Sequence, residues 1–225
     1  MKKKLFAILM SAMMLVTFMP MTAFAAVNEN SAAAITKGGI RTQLKFTADA
    51  YTGEQWAETY MNNYLNEVKT GKYSVVKDTE TMKKIVEDKS ALVVDTMPTS
   101  WFEGRHIPGA INVPAMLTGN NDVKYDKAEA VKAVKAKVGT VTKWYNTKTK
   151  KWTTTKPAKK YCGKSKKVAN LNKKVVVYCG FMGCSRSHEL AKDLTAAGFK
   201  NVYRYAGGIC AWVDAGCAVE GTDAK

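Results

Sequence analysis

Arginine is scarce in this 225-residue chain: of 35 basic residues only four, Arg41, Arg105, Arg186 and Arg204, are arginine. Any arginine in a site is therefore informative. Acidic residues number 19, leaving a formal charge of +16, and none falls between Val141 and Lys174, where twelve lysines lie. Past the first residues, the rest of the chain is nearly neutral. Beyond residue 25 no run approaches the roughly 18 uninterrupted apolar residues of a membrane span. No repeat with a period of about 20 to 50 residues is present, which excludes solenoid and propeller arrays. With 46% hydrophobic and 10% aromatic residues, wholesale disorder and collagen-like structure are also excluded, and the length suffices for one full core.

The N-terminus has the pattern of a secretory signal peptide over residues 1–25. Lys2, Lys3 and Lys4 precede an apolar run from Leu5 to Phe18, and Ala23-Phe24-Ala25 has the small-x-small form of a cleavage site. Cleavage near Ala25 predicts an exported protein, extracellular, periplasmic or in the cell envelope, without a transmembrane span in the mature chain. No cysteine follows closely enough for a lipid-attached N-terminus. Residues 26–72 read as a leader followed by an amphipathic helix from Glu54 to Val68, its apolar positions Trp56, Tyr60, Tyr64, Leu65 and Val68 recurring at helical spacing. A single domain is expected over 73–225, with a lysine-rich insertion at about 118–174.

Within that domain, strands are predicted at Tyr73 to Val76, Ala91 to Val94, Ala110 to Val113, Val175 to Tyr178 and Val202 to Arg204. Helices are predicted at Thr79 to Asp88, Asp126 to Lys137 and Arg186 to Ala197, with a last short one opened by Gly207-Gly208. Continuous apolar strands alternating with helices indicate an α/β fold, a mostly parallel central sheet covered by helices on both faces. The segment Lys143 to Thr155, two aromatic and Thr-rich runs around a polar turn, predicts an inserted β-hairpin.

In such a sheet, ligands sit beyond the carboxyl ends of the strands. Cys179 occupies that position, after the strongest strand signal in the chain. The following Gly180, Phe181, Met182, Gly183, Cys184, Ser185 and Arg186 would wrap a loop around its sulfur, whose amides, helix dipole and guanidinium would stabilise a thiolate or a bound anion.

The chain resembles the rhodanese-like sulfurtransferase family in four pieces that occur in the family's order. These are Val93-Val94-Asp95, His106 to Pro114, Val176-Val177-Tyr178-Cys179 leading to Arg186-Ser187, and Gly207-Gly208-Ile209-Cys210-Ala211-Trp212. The resemblance implies that Cys179 accepts a sulfane sulfur as a persulfide. It further implies a small sulfur-containing anion as donor, a thiol or other nucleophile as acceptor, and no metal or organic cofactor. Gly180 to Arg186, with Arg105, would bind the substrate, and Asp95 would hold loops together near the site. Three features depart from the family. Six residues rather than four separate Cys179 from Arg186, Met97 stands where an arginine is usual, and Cys184 lies inside the loop. Cys184 is either an inert small residue or a thiol that pairs with Cys179, resolving a persulfide or switching activity.

Two further readings are open. One is a non-catalytic or thiol-redox module on the same fold, with Cys179 and Cys184 paired and the insertion docked to an anionic partner, such as an envelope polymer or a protein. The other is a phosphatase or arsenate reductase, disfavoured by the six-residue spacing and by Tyr178 standing where a histidine would precede the cysteine. An exported protein is not expected to meet nucleic acid. A zinc site built on Cys184 and His188 lacks two further ligands. Cys162, Cys210 and Cys217 leave the disulfide pattern open, and Arg204 reads as a solvated strand-end residue.

Overall fold

The computed structural model describes residues 66–76, 78–115 and 125–223; the signal-peptide segment, Ala25 and most of the predicted leader helix lie outside them. The end of that helix, over 66–71, is described. Then follow β1 (Ser74–Val76), α1 (Thr79–Glu87), β2 (Leu92–Asp95), α2 (Thr99–Gly104), β3 (Ile111–Asn112) and α3 (Lys127–Lys137). The inserted strands are β4 (Thr140–Asn146), β5 (Lys151–Thr153) and β6 (Cys162–Ala169), after which β7 (Val175–Tyr178), α4 (Arg186–Ala196), β8 (Val202–Tyr205) and α5 (Gly208–Asp214) complete the domain.

The main sheet has the order β1-β8-β7-β2-β3, with every neighbouring pair parallel. Its central strand β7 is apolar at each position because both faces are covered. Val175 and Val177 point into a cluster with Ala130, Val131 and Val134 of α3 and Leu190, Ala191 and Leu194 of α4. Val176 and Tyr178 point the other way, to Met82 and Ile85 of α1 and Trp212 of α5. Asp78 caps α1 by accepting from the Thr81 amide at 2.6 Å, and Asp126 caps α3 by accepting from the Ala128 and Glu129 amides.

The inserted part is a second, three-stranded antiparallel sheet in the order β5-β4-β6, not a two-stranded hairpin. β6 escaped the sequence reading because its stretch Gly163 to Lys167 is exposed, so it carries no alternation of apolar and polar residues. The helix α3, within the range first given to the insertion, packs into the domain core. The added sheet thus starts at Thr140 and ends at Ala169, and the chain rejoins the domain at Asn170, whose amide donates to the Gly139 carbonyl at 2.9 Å.

Candidate active site

The register of the parallel sheet brings the chemistry to one edge. Tyr178 pairs with Asp95 on one side and Tyr205 on the other, and Val177 pairs with Arg204. Cys179, the first residue past β7, is 1% exposed. Gly208 opens α5 just above it with φ +62, and a Cβ there would lie 2.3 Å from the Cys179 carbonyl. Only glycine permits this approach. The Ile209 and Cys210 amides then donate to the Cys179 and Gly180 carbonyls, each at 3.0 Å, fixing the start of the loop.

The loop folds back so that its two thiols meet. Cys179 Sγ lies 3.0 Å from the Cys184 carbonyl and 3.3 Å from Ser187 Oγ. The amides sequence reasoning placed around Cys179 turn instead to Cys184, whose sulfur accepts from the backbone of Gly180 and Arg186 and lies 3.9 Å from Arg186 Nη1. A hydrogen bond from Cys179, then these amides and the Arg186 charge, outweigh burial and hold the Cys184 thiol down at about 6. Burial, and then the hydrogen bond with Cys184, push the Cys179 thiol well above its ordinary value. The two thiols are thus pushed in opposite directions, Cys179 toward the protonated form and Cys184 toward the thiolate. Met97 and Phe181 pack with Cys179 and Cys184 in one cluster, so the position where the family has an arginine is apolar here.

Arg204 is a correction to the solvated reading. It is fully buried, and its guanidinium braces the whole loop. Nε donates to Ser187 Oγ at 3.0 Å, while Nη2 donates to the Met182 and Cys184 carbonyls at 3.0 and 3.1 Å. Nη1 donates to Glu67 Oε2 at 2.6 Å, and Glu67 Oε1 accepts from Ser185 Oγ at 2.5 Å. Tyr73, whose hydroxyl lies 2.8 Å from His188 Nδ1, completes the cluster. Burial opposes the Arg204 charge, but Tyr73, Glu67 and Cys179 raise its pKa above the ordinary value. One signal for Arg204 was present in the sequence: it lies two residues after Val202, on the same face of a strand beside β7. Glu67 lies 137 residues away and had no such signal.

The other predicted residues have distinct places. Asp95 is buried, accepts from the Met97 amide at 2.7 Å, and is raised to about 6 by burial. The Ile107 amide donates to the Tyr178 hydroxyl at 2.9 Å, so Tyr178 ties the loop after α2 to β7 while Asp95 braces the turn after β2. Arg105 sits at the end of α2, where its charge reaches the Cys210 thiol rather than the thiol pair. Cys162, Cys179, Cys184, Cys210 and Cys217 are all unbridged.

The model of the rhodanese-like domain matches residues 78–215, more than half of the chain. Among solved structures, a Bacillus halodurans protein is 19% identical, with a TM-score of 0.42, over 72% of this chain and 87% of its own. The thiosulfate sulfurtransferase of Pseudomonas aeruginosa is 16% identical, TM-score 0.45, over 72% of this chain; the match spans only 22% of that protein. The polysulfide-sulfur transferase homodimer of Wolinella succinogenes is 16% identical, TM-score 0.41, over 73% of this chain and 91% of its own. No curated protein matches the chain. With the strand-end cysteine, its loop and the family model in agreement, the chain belongs to the rhodanese-like domain family.

Proposed function

We propose that this protein is an exported sulfurtransferase that takes sulfane sulfur from a small anionic donor of the thiosulfate or polysulfide type as a persulfide on Cys179. It then passes that sulfur to a thiol or other nucleophilic acceptor. The observation that carries this reading is the buried Cys179 at the end of β7, its Sγ 3.0 Å from the Cys184 carbonyl and 3.3 Å from Ser187 Oγ under a loop braced by Arg204. As Cys179 Sγ attacks the outer sulfur of the donor, its proton passes to the Cys184 thiolate. A bond forms between Sγ and the sulfane sulfur, and the donor's sulfur–sulfur bond breaks. Sulfite or a shortened polysulfide leaves with the bonding pair. The Gly180 and Arg186 amides and the Arg186 guanidinium supply positive potential beside the new persulfide anion.

Outside the pocket, the twelve lysines between Val141 and Lys174 raise the local concentration of anionic donors. They also suit an anionic envelope polymer or an acidic protein acceptor. The leader ending near Ala25 supports export.

The test is turnover of thiosulfate and, separately, of polysulfide with a small thiol acceptor, following sulfite or the acceptor persulfide. Cys179→Ser is expected to lower the rate by about 10³-fold or more. A wild-type protein that neither releases sulfite nor takes sulfur from polysulfide overturns the reading.

A further inference from the structure

The geometry points to a second activity resting on the reading above: Cys184 attacks the Cys179 persulfide, so that the protein releases hydrosulfide and is left with a Cys179–Cys184 disulfide. Cys179 Sγ already lies 3.0 Å from the Cys184 carbonyl, and both residues pack in one cluster with Met97 and Phe181. Any sulfur loaded on Cys179, which is 1% exposed, meets Cys184 before a bulky acceptor from solvent reaches it. Holding the two groups in contact makes the step intramolecular, which favours it strongly over a bimolecular transfer. The loop that brings them together is held at both the Met182 and Cys184 carbonyls by Arg204, so the approach is built into the fold.

The step balances without an outside oxidant. The loaded pair is a persulfide anion on Cys179 and a thiol on Cys184. The Cys184 sulfur bonds to Cys179 Sγ, the bond between Sγ and the sulfane sulfur breaks, and the departing sulfur leaves as hydrosulfide with the Cys184 proton. The sulfane sulfur is reduced and the two thiols are oxidised to a disulfide. Resetting the enzyme requires a dithiol reductant, which attacks the disulfide at Cys184, the more exposed of the two residues at 9% against 1%. Its second thiol closes the reductant's own disulfide, and its protons restore the pair. The protein then couples sulfane sulfur to a dithiol, with hydrosulfide as product.

The experiment uses the reduced mature protein, freed of reductant under anaerobic conditions and given thiosulfate or polysulfide with no acceptor. Intact mass, peptide mapping and released sulfide are read together, with Cys179→Ser as the blank. The expected result is about one sulfide per chain and a Cys179–Cys184 disulfide. Cys184→Ser and Cys184→Ala should load more slowly and keep a stable sulfur-sized mass gain on Cys179. Wild-type protein that holds a persulfide and yields no sulfide overturns this inference but leaves the sulfurtransferase reading intact. No sulfur on wild type or on either Cys184 variant, with both donors, overturns the reading beneath it as well. Sulfur retained on Cys184 in the Cys179→Ser protein overturns the assignment of the two roles.

Discussion

The two sheets of this molecule handle charge in opposite ways. In the parallel sheet the decisive cation, Arg204, is fully buried and spends its donors on Glu67, Ser187 and the Met182 and Cys184 carbonyls. In the inserted antiparallel sheet the cations are lysines at the surface, some lying over rings, as Lys166 does over Trp152 at 4.4 Å and Lys160 over Tyr161 at 5.0 Å. A buried guanidinium acts at hydrogen-bond range and fixes geometry. A surface cluster of lysines acts through a field that falls off over about 8 Å in physiological salt. One arrangement shapes the loop around Cys179, and the other projects positive potential into the solvent.

The most damaging way to break this contrast is Arg204→Met. It leaves Glu67 and two loop carbonyls without their donor, and should cost about 3–5 kcal/mol in urea unfolding together with nearly all sulfur transfer. Glu67→Gln keeps the shape but removes the countercharge, with an expected loss of about 1–3 kcal/mol. It also has a readout that simple loosening would not move. With Arg204 no longer offset, the thiol pair should ionise at lower pH, shifting the pH profile of sulfur uptake downward.

In the wild-type protein, the rate of iodoacetamide modification at the pair should rise as pH passes about 6, where Cys184 loses its proton, and then level off. Cys184→Ser should abolish that step. If it persists in Cys184→Ser and vanishes in Cys179→Ser, the charge sits on the other sulfur.

Replacing residues 140–169 by a short linker should leave the domain folded, because Gly139 and Asn170 are already hydrogen-bonded to each other. Thiosulfate turnover at high salt should then change by less than about 3-fold, while the salt dependence of donor capture and any retention on a polyanionic resin disappear. The smallest effect concerns Asp95. With a folded-state pKa of about 6 against an ordinary 3.8, the folded protein binds the extra proton. This group therefore favours folding at low pH, and that contribution fades as pH rises from about 4 to about 6. Asp95→Asn should remove this slope from unfolding measured across that range.

What the sequence made legible follows from which physical signals are local. The strand Val175–Tyr178 was visible because burial on both faces imposes an apolar residue at every position. The helices α1 and α3 were legible in the sequence, and the structure adds the aspartates, Asp78 and Asp126, that cap them. β6 was not, since a solvated strand has no face to write into its sequence. At the site, the position of Cys179 and the length of its loop were readable, but the direction of the amides was not. Two extra residues change how the loop folds back, and that decides which sulfur the Gly180 and Arg186 amides meet. Arg204 required reading a strand end in three dimensions, and Glu67 required knowing that a helix before the domain packs against it.

That last contact sets a boundary on where the chain can be shortened. Glu67 lies ahead of the segment 78–215 that the family shares, yet it supplies the carboxylate that balances a cation with no access to water. Trimming at the family's edge, whether by a protease or by gene truncation, would keep every residue of the recognisable domain and discard its counterion. The working unit is therefore longer than the segment the family shares, and a fragment that keeps the loop braced must include Glu67.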